Sequence, residues 1–212
     1  MDPGLLAYLD DPDKARIFIP AEDQDRWDDE NDHGDPVIER WARGLGAWGP
    51  AICARATLAC AQFLEKAWVA ELPGDTVVPE ALRAATSPSA TARQQALAAL
   101  EARERTVGWA HLHDTLRAAR SAILAGEPGQ ALYQVELAAL FAFRVVSWSS
   151  YPLSRAHAPG EAALWAAIEA NASFASALAL PDNPDRCRQI TRIAVRDALA
   201  GKPAAGRPAH GV

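Results

Sequence analysis

The chain has 212 residues and a formal charge of −6, with 47 alanines but only five phenylalanines, three tyrosines and one methionine. This length suits a single domain, and the alanine content favours closely packed helices over strands, which prefer β-branched and aromatic residues. The negative charge argues against non-specific nucleic-acid binding, because proteins of that class neutralise phosphates with lysine and arginine.

The charge is distributed unevenly along the chain. Residues 1 to 39 carry 13 acidic and 3 basic side chains, whereas residues 40 to 212 carry 14 acidic and 18 basic ones. We therefore predict an acidic, largely irregular N-terminal segment over residues 1–35 and a helical bundle domain over residues 36–201. The remaining residues, 202–212, are predicted to form a disordered tail.

The N-terminus, MDPGLLAYLDDPDK, lacks the basic region and the continuous apolar run of a signal peptide. The most apolar stretch, residues 137–148, is too short to cross a bilayer. Cys53 and Cys60 lie about 10 Å apart along one predicted helix, which is too far for a disulfide. We therefore expect a cytoplasmic protein with no membrane span and with reduced, buried cysteines.

Proline marks most of the predicted helix starts, because it suits the first turn of a helix and is costly in the interior. About seven helices joined by short loops predict an all-α fold, a compact bundle. Gly108 is a candidate point for a kink or division in the fourth helix. In chain order, the predicted helices run from Pro36 to Gly44 or Gly46, from Pro50 to about Glu71, from Val78 to Ala85, from Ser87 or Ser89 to Gly126, from Glu127 to near Ser149, from Ala158 to Leu180 and from Asn183 to Ala200.

The fifth predicted helix is apolar on nearly every side, which is typical of a helix at the centre of a bundle. Glu136 and Arg144 are the exceptions within it, and their spacing of eight residues places them on roughly the same side. Two interpretations remain open for this pair. Either both face a polar cavity, or they simply meet solvent or partner side chains.

Part of the acidic segment resembles a calcium-binding loop, with carboxylates at loop positions 1, 3, 5 and 12, namely Asp28, Glu30, Asp32 and Glu39. The match fails because His33 stands where such a loop requires glycine, and because a helix is predicted to begin at Pro36. Glu30 and His33 have the Glu-x-x-His spacing of di-iron bundles, but the chain has no second copy of this motif. We predict no metal site and no cofactor.

Two histidines stand two residues apart in the fourth predicted helix, so only one of them can face inward. His111 shares a helix face with Glu104 and Asp114, which is a candidate acid–base or metal corner, whereas a solvated or capped histidine is the simpler interpretation. The chain lacks a phosphate-binding glycine loop, a Cys-x-x-Cys pair, a Gly-x-Ser-x-Gly elbow and a His-Glu-x-x-His motif. We therefore predict no catalytic residue and no enzymatic activity.

The last predicted helix carries Arg188, Arg192 and Arg196 at spacings of four residues, which places them in one basic stripe. Such a stripe is usually a solvated face. Two more specific hypotheses are that it holds the acidic segment within the molecule, or that one of the two charged surfaces binds an oppositely charged protein.

Residues 50 to about 85 contain Cys60-Ala61 in a helix, then Pro73-x-Asp75, then a helix start from Ala81 to Ala85, and an alanine-rich helix follows. This part of the chain resembles immunity proteins of bacterial polymorphic-toxin systems. The resemblance implies a non-catalytic helical protein that neutralises a toxin by binding it, commonly with an acidic surface facing a basic enzyme. It identifies no functional residue in this chain.

We therefore predict a bacterial protein-binding domain, either an immunity protein or a similar inhibitor. The alternative is a regulatory or accessory subunit of a defence or signalling system, in which a partner cleaves, releases or orders the acidic segment. A third hypothesis, an enzyme or small-ligand binder, requires a deep polar pocket around Glu136, Arg144 and His111. The residues predicted to contact another protein are Asp23, Asp25, Trp27, Asp28, Asp29, Glu30, Asp32, Arg188, Arg192 and Arg196.

Overall fold

A computed structural model describes residues 1–11, 35–181 and 184–201. These residues form eleven α-helices, two short 3-10 segments and no strand, which confirms the all-α class but not the predicted number of about seven helices. The 3-10 segments are Leu45–Trp48 and Ala172–Phe174. The α-helices are α1 (Pro3–Asp10), α2 (Pro36–Gly44), α3 (Pro50–Glu71), α4 (Val77–Ala85), α5 (Ala90–Glu104), α6 (Ala110–Leu124), α7 (Ala131–Ser150), α8 (Pro152–His157), α9 (Pro159–Glu169), α10 (Ala175–Leu178) and α11 (Pro184–Leu199).

Proline placement predicted the helix starts well, since six of these eleven helices begin on a proline. Two of the predicted helices divide: the division near Gly108 was one of the two alternatives predicted for that residue, whereas the other division was not predicted. The long fourth helix ends at Glu104 and resumes at Ala110, so the region around Gly108 is a connection between α5 and α6. The helix expected over residues 158–180 also divides, because the side chain of Asn171 accepts a hydrogen bond from the backbone of Ser173 and starts a new turn.

Helix α1 lies in a part of the chain that was expected to be irregular. Asp2 caps it by accepting hydrogen bonds from the backbone N–H groups of Gly4 and Leu5. Its apolar side, Leu5 and Leu9, is buried, and the helix packs against α11. Residues 3–10 therefore belong to the helical bundle and not to a separate acidic segment.

Tyr8 attaches α1 to α2 through a hydrogen bond. Its hydroxyl donates to the carbonyl oxygen of Trp41 at 2.7 Å. A Cβ atom on Gly44 would lie only 1.9 Å from that hydroxyl oxygen, so the missing side chain of Gly44 makes room for the tyrosine. Burial, together with the charge of Asp11, raises the pKa of Tyr8 to about 12, which keeps the hydroxyl protonated as a donor.

The centre of the bundle consists of α3, α6 and α7, each of which packs against the other two. The central position predicted for the apolar helix, here α7, is confirmed. Helices α2, α9 and α11 also pack against α7, while α4 and α5 form a pair that packs against α6. The three cysteines, Cys53, Cys60 and Cys187, are buried and form no disulfide, as expected.

By length and composition alone, α7 is also apolar enough to cross a membrane. However, 56% of its most apolar stretch is buried inside the bundle. The core helix of a bundle has this same property, so the apolar character of α7 is explained by its packing.

Helices α3 and α9 approach each other closely at Gly160. A Cβ atom on this residue would lie 2.4 Å from the carbonyl oxygen of Ala67, well inside van der Waals contact. The backbone N–H of Gly160 donates a hydrogen bond to Oε2 of Glu71 at 2.6 Å. Glycine is therefore required here so that the start of α9 can lie against the end of α3.

The substitution Gly160→Ala should lower the free energy of unfolding by about 1–3 kcal/mol, because the added methyl group must push α9 away from α3. Urea denaturation measures this change. Gly108→Ala is the matched control, since a Cβ atom on Gly108 meets no heavy atom within 4 Å. It should lie within about 0.5 kcal/mol of the parent protein. Equal stability of the two variants would contradict the close approach of α3 and α9.

Candidate functional site

The basic stripe of α11 contacts acidic groups at its N-terminal end through Arg188. Its Nη2 lies 2.8 Å from Oδ2 of Asp35, and its Nε lies 3.0 Å from the same oxygen. The same guanidinium also donates to Asp185 at 2.7 Å. Because Asp35 is buried, this ion pair is shielded from solvent and fixes the start of α2 against α11.

Asp35 has a second structural role as the N-cap of α2. Its Oδ1 accepts hydrogen bonds from the backbone N–H groups of Val37, at 3.0 Å, and Ile38, at 2.9 Å. Asp35 thus supplies the side-chain acceptor for the first turn of α2. Burial lowers the pKa of Arg188, but hydrogen bonds and charges from Asp35 and Asp185 outweigh this effect and raise the pKa above its usual value.

The other two arginines of the stripe hold the end of α1. Nε of Arg196 lies 2.8 Å from Oδ1 of Asp10. Arg192 donates to the carbonyl oxygen of Leu9 and to the side chain of Gln189, and it is only 7% exposed. The stripe is therefore not a free, solvated face, because all three arginines bind groups of the same molecule.

These contacts lie on the two sides of residues 12–34, the part of the acidic segment that is outside the described residues. Before this gap Asp10 pairs with Arg196, and after it Asp35 pairs with Arg188. Since α11 rises 1.5 Å per residue, Arg188 and Arg196 are about 12 Å apart along one helix. The residues of the acidic segment that are predicted to contact a partner lie outside the described residues, as does the tail over 202–212; they are Asp23, Asp25, Trp27, Asp28, Asp29, Glu30 and Asp32.

A second polar cluster surrounds His111 at the meeting point of α3, α6 and α9. His111 is only 1% exposed, so the expectation of a solvated histidine was wrong. Its Nδ1 lies 3.1 Å from Oε1 of Glu161, and its Nε2 lies 3.7 Å from Oε2 of Glu71. The predicted neighbour Glu104 lies instead 3.9 Å from Nδ1 of His113. His111 thus faces two carboxylates that the sequence analysis did not identify.

Asp114, one turn after His111, pairs with arginines from two helices. Its Oδ2 lies 3.1 Å from Nε of Arg144 on α7, and its Oδ1 lies 3.8 Å from Nη1 of Arg117. Arg117 also donates to Glu104 at 2.8 Å. Arg144 therefore meets a partner side chain and not a polar cavity, which was the simpler of the two interpretations.

Glu136 lies apart from this cluster, on the side of α7 that faces α2. It forms a two-bond ion pair with Arg43, whose Nε and Nη2 donate at 2.9 and 3.0 Å. Burial raises the pKa of the nearby Glu39, and the charges of Glu136 and Asp35 raise it further. Glu136 and Arg144 share a helix but have different partners, so they do not form one site.

Two open depressions lie on the described surface. One, of about 550 Å³, is lined by the turns that precede α3 and α7 and by the end of α6. The other, of about 560 Å³, lies between α4 and α5. Neither depression is lined by Glu136, Arg144 or His111. Neither is therefore the polar pocket that an enzyme or small-ligand binder would require around these residues. Within the described ranges, no group of three His, Cys, Asp or Glu side chains has the geometry of a metal site.

An exposed aromatic patch, which was not predicted from the sequence, lies where α7 meets α8. Trp148, Tyr151 and Leu153 are 46%, 55% and 78% exposed, and the first two rings lie 6.5 Å apart. The useful signal was Pro152, which starts α8 and turns the chain away from the core.

Asp35→Asn should lower the free energy of unfolding by about 1.5–3 kcal/mol, because asparagine still caps α2 while Arg188 loses its buried counter-charge. Asp10→Asn is the matched control, since Asp10 is half exposed and pairs with Arg196 at the same helix. It should cost less than about 1 kcal/mol. Chemical denaturation measures the free energy of unfolding of both variants. Equal losses would show that the buried pair of Asp35 and Arg188 contributes no more to stability than the exposed pair of Asp10 and Arg196.

Comparison of the chain with models of protein families, with curated protein sequences and with solved structures finds no match. The resemblance to immunity proteins therefore depends on the features between Cys60 and Ala85 alone. It remains a prediction, as do the protein partner and the cytoplasmic location.

Proposed function

We propose that this protein is a non-catalytic protein-binding domain that presents its acidic segment, residues 12–34, to a basic partner protein. The observation that carries this proposal is the position of the segment's two ends. Asp10 and Asp35 are bound by Arg196 and Arg188 of the same helix. The residues that flank the segment on both sides therefore lie against one helix, which suits a segment held by a scaffold for a partner to bind.

The distribution of charge supports a basic partner. Residues 12–34 contain eight acidic and three basic side chains, a net charge of −5 out of −6 for the whole chain. Concentrated charge of one sign speeds association with a surface of the opposite sign and selects against other partners. The segment also contains Trp27, and tryptophan is among the residues that most often dominate binding energy at interfaces.

An inhibitor of a basic toxin, such as an immunity protein, fits this charge distribution best. The internal contacts of the basic stripe favour such an inhibitor. Arg188, Arg192 and Arg196 bind groups of their own chain, so we expect a partner to bind the acidic side chains and not these arginines. The non-catalytic part of the proposal is supported by the buried polar groups. His111, Asp114 and Glu161 are at most 6% exposed, so a substrate has no direct access to them.

The proposal is tested with two variants that lose the same charge in different places. The segment variant neutralises Asp23, Asp25, Asp28 and Asp29 to asparagine. The control variant neutralises four carboxylates on the helical body to glutamine; all four are exposed, and their ion pairs contribute little to stability. These four are Glu80, Glu101, Glu127 and Glu169.

Each form is used to capture proteins from the host lysate, and the affinity for the captured protein is then measured at low and moderate salt. We expect the parent and the control to bind one stoichiometric protein. The segment variant should bind it at least about tenfold more weakly, with a smaller salt dependence. Equal binding by the segment variant would place the interface on the helical body, and no stoichiometric partner for any form would contradict the proposed function.

The capture experiment also separates an inhibitor from a regulatory subunit. An inhibitor should block the activity of its partner with the acidic segment intact, and the segment should survive in the complex. A partner that cleaves residues 12–34, seen as two fragments by mass spectrometry, would instead indicate the regulatory function.

A further inference from the structure

The junction of α3, α6 and α9 places one buried imidazole between two buried carboxylates. Glu71 is the last residue of α3, His111 is the second residue of α6, and Glu161 lies in the first turn of α9. In the part of the chain that the structure describes, His111 is the only basic group within ion-pair distance of either carboxylate. This cluster plays no part in the proposed function.

The hydrogen-bonding capacity of imidazole makes this arrangement dependent on a proton. Neutral imidazole has one N–H donor and one lone pair. If Nδ1 donates to Glu161, the lone pair of Nε2 faces Glu71, and this Nε2 is buried with no hydrogen-bond partner among the described residues. The other tautomer places a lone pair 3.1 Å from Glu161. Either neutral form therefore leaves a lone pair directed at a buried carboxylate, which is unfavourable.

We propose that Glu71, His111 and Glu161 form a proton-dependent lock, in which the junction holds one additional proton while α9 is docked on α3 and α6. The proton is assigned to the three groups together, because His111 lies within ion-pair distance of both carboxylates. When it is lost, neither of the two buried carboxylates faces a positive charge, and the start of α9 separates from its neighbours.

The other charged groups around the junction already have partners. Asp114, one turn along α6, pairs with Arg144 from α7 and with Arg117. Glu104, at the end of α5, pairs with Arg117 and lies near His113. These carboxylates are compensated by arginines, which stay charged at all physiological pH values. The pH dependence therefore belongs to the cluster of Glu71, His111 and Glu161.

The geometry explains why loss of the proton acts on α9. It contributes both Glu161 and the backbone N–H of Gly160, which donates to Glu71. The same residue, Gly160, lies against the backbone of α3 with no space to spare. A repulsion between carboxylate and imidazole therefore acts directly on the closest contact between α9 and α3.

The direction of the effect follows from linkage. A proton that is bound in the docked state and released in the open state favours the docked state at low pH. Docking is therefore complete below the titration of the junction and weakens as the pH rises through it. One linked proton changes the opening equilibrium constant by at most about tenfold per pH unit.

The test is hydrogen exchange of the Gly160 amide between about pH 5.5 and pH 8.5, the range in which imidazole groups titrate. Exchange is corrected for its intrinsic dependence on pH, so that the opening constant of the junction is obtained. In the parent protein we expect this constant to rise by up to about tenfold per pH unit above the titration. A constant that does not change with pH in the parent protein would overturn the proposal, whatever the variants do.

Two variants and one control show which groups bind the proton. Glu161→Gln removes one carboxylate while keeping its size, so the slope with pH should become clearly smaller, and His111→Gln should abolish it. His113→Gln is the control, because His113 is about one-third exposed and pairs only loosely with Glu104; its profile should match that of the parent. If His111→Gln does not fold, Glu161→Gln decides the question, and a slope equal to the parent's would overturn the lock.

Discussion

The close approach of α3, α6 and α7 is the constraint on which the rest of the structure depends. Alanines on the facing sides of these helices are fully or almost fully buried, so their axes can come closer than larger side chains would permit. A tightly packed centre has no space for water, and every polar group near it needs a partner from the protein itself. The alanine-rich composition thus determines the packing and favours the pairing of most charged groups around it.

The charged groups meet that requirement mainly at helix ends. Asp35 caps α2 and holds Arg188 of α11, while Glu71 ends α3 and accepts a bond from the first turn of α9. Both carboxylates lie where backbone N–H groups of a helix start are available, and the partial positive charge there stabilises them. The two clusters differ in the basic residue that they contain. The cluster at Asp35 contains an arginine, which stays charged at every physiological pH, and the cluster at Glu71 contains a histidine.

Much of the fold could be predicted because local signals determine where helices start. Pro50 and Glu71 were identified as the bounds of α3, and Val78 was within one residue of the start of α4. The signals were weaker for short elements. Helix α1 was missed because its acidic surroundings hid the pattern of Leu5 and Leu9, and its stability depends on packing against α11, which no local pattern reveals.

The sequence by itself determined the all-α class, most helix starts, the central place of α7 and the concentration of acidic residues near the N-terminus. Only the tertiary structure decided which charged side chains meet. Glu136 and Arg144 lie on one helix but pair with Arg43 and Asp114 from different neighbours, and His111 meets carboxylates from α3 and α9. The reason is physical: helical periodicity specifies the face on which a side chain lies, whereas its partner depends on how closely and at what angle the helices pack.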